Sequence, residues 1–416
     1  MLRSITIRNY RALKAVTLSE LPQLMVIVGP NASGKSTFLD ALDFLGHVVR
    51  EGLDAAISSR GGYERIASRR ARRARGPIEF EVEYSTDAPE RVGRRQRRRL
   101  YWRYTLAFGA ARDVIDADVH ILREKLERST RSGDPYETLF DRTRDRETGA
   151  DSVRVIEDES FQVFLPFPDG SDITEFVPSY EPLLRAIWAY EVRTLASALG
   201  RYRVYQLSPY AARQPAAPSP ELTIGRYGQN LASVLRRLEH QDPATLENLV
   251  ENLRIAVPSI RKISTDYIET KQLGVFFEEE GFAQRWFASD VSDGTIQATA
   301  LFLALLSGEP GILLEEPETN LHPWILEHVM RVARSVSVDA SPSSSSQVIM
   351  TTHSPLAVSH VELESLFITD RDDGATTIRN ARDNFVDAAT FESLLRSESL
   401  SLGDSWLRSL LGGVPG

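Results

Sequence analysis

Gly29-Pro30-Asn31-Ala32-Ser33-Gly34-Lys35-Ser36 sets two glycines, a lysine and a hydroxyl at fixed spacing, followed by Thr37. The pattern G-x-x-x-x-G-K-[ST] is that of a loop whose backbone N–H groups wrap phosphates. Lys35 is expected to reach the β- and γ-phosphates and the Ser36 hydroxyl to hold Mg²⁺. A second constellation is Ile312-Leu313-Leu314-Glu315-Glu316-Pro317, an apolar run that delivers two adjacent carboxylates. Glu315 is placed to hold Mg²⁺ or its bound water, and Glu316 to orient or deprotonate a water for in-line displacement at a γ-phosphate. Alone, two glutamates at a strand end read as a solvated turn. The phosphate loop in the same chain changes that reading.

The chemistry needs elements to hold it. Ser4-Ile5-Thr6-Ile7 and Ala15-Val16-Thr17-Leu18 read as strands of a meander, and the continuous apolar run Leu24-Met25-Val26-Ile27-Val28 as a strand buried on both faces. A helix is predicted from Ser36, with Phe38, Leu39, Leu42 and Leu45 at helical spacing, so the glycine loop lies between strand and helix as its mechanism requires. Ile78 to Tyr84 and Tyr101 to Leu106 alternate as antiparallel neighbours, and only short strands are expected between about 110 and 170. Helices are predicted at 182–199, 230–238, 244–256 and 297–306. Strands are predicted at 260–263, 267–269, 273–278, 311–315 and 347–351. Phe367 to Ile378 reads as a hairpin whose aspartates Asp370 and Asp372 serve the turn rather than a metal, and 341–346 as a serine-rich surface loop.

The chain has 416 residues, 42% of them apolar, which is enough for a large core. No run reaches the ~20 apolar residues of a bilayer span, and the first residues alternate like a strand rather than a signal peptide, which places the chain in the cytoplasm without a membrane partner. The absence of cysteine excludes disulfides and thiolate chemistry. The net charge of -9 argues against a surface that coats nucleic acid. The charge is nevertheless uneven: arginines crowd at 65, 69, 70, 72, 73 and 75 and again at 91, 94, 95, 97, 98, 99 and 103. The stretch from Arg65 to Arg103 is thus a candidate contact for DNA or RNA phosphates, and reads equally as a solvated loop in a chain poor in lysine.

Together with these residues, further motifs resemble the ABC-type ATPases of the SMC, RecF and OLD branch. Asp290-Val291-Ser292-Asp293-Gly294-Thr295, before an apolar helix, is similar to the signature motif, in which Ser292, Asp293 and Gly294 would meet a γ-phosphate. Pro317-Glu318-Thr319-Asn320-Leu321-His322-Pro323 resembles the D-loop. Thr351-Thr352-His353-Ser354-Pro355 resembles the switch motif, in which His353 would sense the γ-phosphate. Ile7 to Leu13 resembles the opening strand and loop, which would bring Arg11 to the nucleotide; Gln206 is a candidate for the Q-loop. Leu402-Gly403-Asp404-Ser405-Trp406 with Leu411-Gly412-Gly413 resembles the tail of short stand-alone bacterial members. The chain lacks the coiled-coil arm of SMC-like members and the Toprim domain of OLD nucleases.

The resemblance implies an α/β P-loop NTPase of the ABC head type, with a mixed central sheet, an antiparallel β-layer and an inserted helical lobe. It implies one head over 1–416, read as an N-terminal lobe at 1–110, a β-rich then helical insert at 111–285 and a C-terminal lobe at 286–416. It further implies ATP and Mg²⁺ as cofactors, ATP hydrolysis, and a head-to-tail homodimer that closes on ATP. The process gated would be directed at DNA or RNA, as in repair or phage defence, with a separate nuclease or effector. The competing reading is a nucleotide-bound scaffold that recruits a protein effector without touching nucleic acid.

Overall fold

The computed structural model describes residues 1–68, 76–87, 99–110, 118–145, 147–156, 174, 177–187, 189–221, 223–341, 345–384, 400–408 and 410–411. Most of both arginine clusters, positions 342–344 of the serine-rich loop, and Gly412 and Gly413 of the tail lie outside the described residues. Contacts divide the chain into two units that interleave in sequence. Unit 1 holds Met1–Pro22, Pro30–Tyr202 and Thr369–Arg379, and unit 2 holds Gln23–Gly29, Arg203–Ile368 and Asn380–Gly416.

Unit 1 is built on strands β1 (Leu2–Tyr10), β2 (Leu13–Leu18), β4 (Ile78–Asp87), β5 (Arg99–Ala110), β6 (Val119–Ser129), β7 (Glu137–Arg144) and β8 (Asp151–Val155). They form one antiparallel sheet in the order β2-β1-β4-β5-β6-β7-β8. In β4 the two-residue period is plain: Ile78, Phe80, Val82 and Tyr84 are buried while Glu79, Glu81 and Glu83 take the other face. Helix α1 (Lys35–Glu51) covers the apolar face through Phe44, whose ring lies 5.4 Å from Tyr10, 5.8 Å from Phe80 and 5.6 Å from Phe108. Among the described residues the unit also holds the helices α2 (Leu53–Ser58), α3 (Tyr63–Ile66), α4 (Leu183–Ala186) and α5 (Tyr190–Gly200), with α5 packed along α1.

Beyond residue 110 the expectation of short strands is corrected, since β6 and β7 extend the same sheet, β6 over eleven residues. Alternation is obscured there because Glu124 occupies an inward position where an apolar side chain would be looked for. It is fully buried and accepts hydrogen bonds from Tyr104 Oη at 2.9 Å and from the backbone N–H groups of Leu183 and Leu184 at 2.7 and 3.0 Å. The carboxylate thereby caps α4 from a strand.

Unit 2 has β3 (Leu24–Val28) in the interior of a parallel sheet, flanked by β14 (Gln347–Thr351) and β15 (Leu366–Asp372, in unit 2 to Ile368); β13 (Gly311–Glu315) lies beyond β14. Beside β13 stands β9 (Tyr202–Tyr205). Every residue of β3 and β14 is buried, as a strand covered on both faces requires. The core also takes in α9 (Asp293–Leu305), α10 (Pro323–Ser337) and the helices α7 (Leu231–Gln241) and α8 (Pro243–Ala256). A small antiparallel sheet, β10 (Ile260–Tyr267), β11 (Leu273–Glu279) and β12 (Trp286–Phe287), packs on α7. After Ile368 the chain returns to unit 1, where the end of β15 turns into β16 (Ala375–Asn380, in unit 1 to Arg379).

Candidate active site

From Pro30 onward the glycine loop belongs to unit 1, and the β15–β16 hairpin clamps it. Thr376 Oγ1 donates to the Ser33 carbonyl at 2.7 Å, and the hydroxyls of Ser33 and Thr369 lie 2.6 Å apart. Gly34 has φ 112°, and a Cβ there would fall 2.1 Å from Thr376 Oγ1, so both the backbone and the clamp demand glycine. The hairpin turns at Asp373 and Gly374, both left-handed at φ 43° and 70°, as an Asp-Gly turn of the twisted hairpin type requires. It also holds the β1–β2 turn, since Thr376 N donates to the Ala12 carbonyl at 3.0 Å and Lys14 Nζ to the Asp373 carbonyl at 2.7 Å. Lys35 is buried with Nζ 2.9 Å from the Pro30 carbonyl it donates to, while Asn31, Ala32 and Ser36 are exposed.

Behind the loop, Asp40 of α1 organises cations. Its carboxylate receives Tyr10 Oη at 2.5 Å, Arg11 Nη1 at 3.1 Å and Arg60 Nε at 3.0 Å, and Arg60 reaches Asp43 at 2.6 Å. Burial, and then the charge of Asp40, push the Tyr10 phenol well above its ordinary value, so it remains a donor. Arg11 and Arg60 line a cavity of about 710 Å³ together with Lys14, Arg65 and Arg371. A wall so rich in cations suits a phosphate-bearing ligand.

In unit 2 parallel pairing brings three strand ends to one edge: β3 runs into Gly29, β13 into Glu315 and Glu316, and β14 into Thr352 and His353. The ends are tied further by Thr352 N to the Ile27 carbonyl at 3.1 Å and Glu316 N to the Thr351 carbonyl at 3.1 Å. Glu316 has φ 45°, in the left-handed region that residues other than glycine seldom adopt. His353 Nε2 lies 3.5 Å from Glu316 Oε1, and the His353 backbone N–H donates to Glu318 Oε1 at 2.7 Å. Glu315 Oε2 faces Arg226 Nη2 at 3.7 Å.

Ser292 caps α9, accepting the N–H of Thr295 at 3.2 Å, and it is exposed with Asp293 at the helix N-terminus. Gly294 stands close to the D-loop stretch, where an added Cβ would meet the Asn320 carbonyl at 3.2 Å. Arg213 holds this corner by donating to the Asp293 carboxylate and, at 3.3 Å, to the Val291 carbonyl. Gln206 directly follows β9, with its N–H on the Arg226 carbonyl at 2.9 Å. The expectation that Asp370 and Asp372 serve the turn is corrected: both lie in β15, the turn being Asp373 and Gly374, and Asp370 Oδ1 accepts the Arg371 N–H at 2.8 Å within the strand.

Thus Glu315, Glu316 and His353 meet at one edge of unit 2, the signature residues start α9, and Arg11 enters a cationic cavity in unit 1. Glu318, Arg213, Arg226 and Asp40 were given no role by the sequence. Only Glu318 stood in a recognised motif, and the others reach their partners from positions with no spacing signal.

A buried parallel strand, a phosphate-type loop and its helix, a carboxylate strand, and a capped helix at the signature-like motif fit a P-loop nucleotide-binding head of the ABC type. The chain belongs to the family described as "AAA domain, putative AbiEii toxin, Type IV TA system", whose model matches residues 24–359. No curated protein matches it. Solved structures similar to it include an SMC head bound to the C-terminal winged-helix domain of ScpA (12% identity, 91% of this chain and 97% of that one, TM-score 0.48). Others are the SMC head domain from Thermotoga maritima (12% identity, 91% and 98%, TM-score 0.40) and an Smc head with an extended coiled coil bound to the C-terminal domain of ScpA, derived from Pyrococcus furiosus (12%, 96% and 99%, TM-score 0.48).

Proposed function

We propose that the chain binds ATP with Mg²⁺, hydrolyses it, and uses the cycle to close and release a head-to-tail homodimer that gates a DNA- or RNA-directed process. The observation that supports this reading most is the edge shared by Gly29, Glu315, Glu316 and His353, with the histidine 3.5 Å from the Glu316 carboxylate. Ser36 and Glu315 offer hard oxygen donors of the kind Mg²⁺ takes, and the ion would neutralise charge developing on the phosphates. Loop N–H groups from Gly29 to Thr37 and Lys35 hold the phosphates, and Arg11 the nucleotide. Glu316 orients and deprotonates the attacking water, and His353 fixes the Glu316 carboxylate and senses the γ-phosphate. Ser292, Asp293 and Gly294 of the second copy complete the site. Among the described residues no helix is long and apolar enough to cross a membrane; a cytoplasmic setting and a separate nuclease or effector as partner are further parts of the proposal.

Arg65 lines the cationic cavity, which favours a phosphate-bearing partner. Two described members of the second cluster are spent on carboxylates, Arg103 on Glu83 at 2.7 Å and Arg99 on Asp87 at 3.7 Å. That pairing favours the second reading, an effector-recruiting scaffold. Steady-state ATP hydrolysis with and without double-stranded DNA, at low and moderate salt, separates them. Salt-sensitive stimulation that vanishes in Lys35→Ala and Glu316→Gln is expected for a nucleic-acid-gated head. Turnover indifferent to DNA leaves the scaffold, and turnover that survives both substitutions sinks the ATPase reading.

A further inference from the structure

The cationic cavity of about 710 Å³ in unit 1 has donors left over once its internal pairs are made. Arg11 and Arg60 are held by Asp40 and Asp43, although Arg11 Nε stays buried without a hydrogen-bond partner. Lys14 gives one N–H to the Asp373 carbonyl. The exposed Arg65 and Arg371 make no side-chain hydrogen bond or ion pair among the described residues. These open donors come from three elements, Lys14 from β2, Arg65 from α3 and Arg371 from β15. Among the described residues the lining contains no carboxylate and no aromatic ring.

Guanidinium and ammonium groups brought to one cavity from separate elements suit phosphate oxygens, whereas a wall without an aromatic ring offers a base nothing to stack on. In sequence Arg65 leads into Arg69, Arg70, Arg72, Arg73 and Arg75, a run that a polyanion can engage and a single small anion cannot. The cavity also touches the support of the glycine loop. Arg371 and Gly374 belong to the β15–β16 hairpin, whose Thr369 and Thr376 hold Ser33. A phosphate shared by Lys14 and Arg371 would tie β2 to that hairpin and keep the clamp closed on the loop. Resting on the nucleic-acid-directed reading proposed above, we infer that the cavity takes the phosphodiester backbone of a nucleic-acid strand without reading its bases, and that the hairpin passes this occupancy to the glycine loop as tighter nucleotide binding. By linkage the nucleotide tightens the nucleic acid by the same factor.

Anisotropy of a fluorescein-labelled DNA duplex of mixed sequence, titrated with the full-length protein over a salt series, tests the contact. Arg65→Gln combined with Arg371→Gln is expected to weaken binding roughly tenfold or more at low salt, at an unchanged melting temperature. It should also flatten the slope of log K against log salt by about 1.8, the counterion release of two phosphate contacts. Wild-type binding that the double variant keeps in full overturns the cavity as the contact and leaves the nucleic-acid reading standing, with the contact elsewhere in the chain. Absence of wild-type binding, with and without ATP, sinks both. The coupling is read with a non-hydrolysable fluorescent nucleotide analogue. Saturating duplex is expected to tighten its binding about tenfold in wild type but not in Thr376→Val, which still takes the duplex and lacks the hydroxyl that holds Ser33. Unchanged nucleotide affinity in wild type, or tightening that persists in Thr376→Val, overturns the hairpin route. A tenfold loss of nucleotide affinity in the double variant without duplex hands the cavity to the nucleotide and overturns the inferred ligand. An RNA duplex of the same sequence separates the two polymers: an equal effect of the double variant on both supports recognition of the shared backbone, and an effect confined to one names it as the ligand.

Discussion

At the scale of single residues, the candidate chemistry depends on side chains that hold other side chains still. Glu318 anchors the backbone of His353 at 2.7 Å, and its second oxygen, Oε2, is buried without a hydrogen-bond partner. Glu318→Ala leaves the His353 N–H unsatisfied and frees the histidine to drift from Glu316. It is expected to lower kcat about tenfold, which corresponds to ~1.4 kcal/mol, with nucleotide affinity within about twofold of wild type. Glu318→Gln keeps a carbonyl acceptor in place and should stay near wild type. Phosphate-release kinetics beside nucleotide titrations check both, and a rise in KM at constant kcat would show that Glu318 serves binding instead. Glu316→Gln is expected to cost at least ~10²-fold in kcat with ATP binding retained, as loss of a general base does. The same turnover assay reads it, and residual activity near wild type would remove Glu316 from the role proposed for it. The positions of the loop after β3 and of the carboxylate pair at the end of β13 follow from local spacing, whereas His353 was singled out only by the family resemblance. Arg213, Arg226 and Asp40 were not legible, because each reaches its partner across a tertiary contact that no sequence period encodes.

At the scale of elements, two devices give the fold its local order. The hairpin clamp on the glycine loop leaves no room at Gly34, so Gly34→Ala combines a clash at 2.1 Å with a backbone strained at φ 112°. It is expected to lower the melting temperature and to abolish nucleotide binding, measured with a fluorescent nucleotide analogue; Thr376→Ala in the same chain relieves the clash but not the strain, and restores binding only in part. Glu124 is the other device, and burial raises its carboxyl above the ordinary range against the opposing pull of the Leu184 and Leu183 N–H groups, Tyr104 and Arg142. Glu124→Ala strands two backbone donors and a phenol in the interior, an expected loss of about 3 kcal/mol in chemical denaturation. A change under about 1 kcal/mol would mean that water or a shift of α4 replaces the carboxylate.

The continuous apolar runs of β3 and β14 gave both strands their bounds, α1 starts within a residue of its expected Ser36, and β4 follows its period but runs three residues past Tyr84. β6 could not be read, because a satisfied buried glutamate looks the same as a solvated one in a list of residues. The single helix expected over 182–199 is two among the described residues, α4 and α5, with Ile187 and Ala189 in neither.

For the whole molecule, the proposed closure is a matter of populations. The signature serine and aspartate of one copy are exposed at a helix N-terminus, where backbone N–H groups have room for an anion from outside the chain. If ATP is shared across two such contacts, each site must favour the dimer by ~100-fold to carry the population from about 1% to about 99%. That is about 2.7 kcal/mol per site, the scale of a few charge-assisted hydrogen bonds. Glu316→Gln, which binds ATP without consuming it, is therefore expected to run as a dimer in light scattering with ATP and Mg²⁺ and as a monomer with ADP. Ser292→Arg added to it should return the ATP-bound protein to monomer while leaving nucleotide binding intact, because in the proposed dimer the serine acts on the partner's nucleotide and not on its own. A Glu316→Gln protein that stays monomeric at saturating ATP would separate hydrolysis from assembly, and the gating role would fall with it.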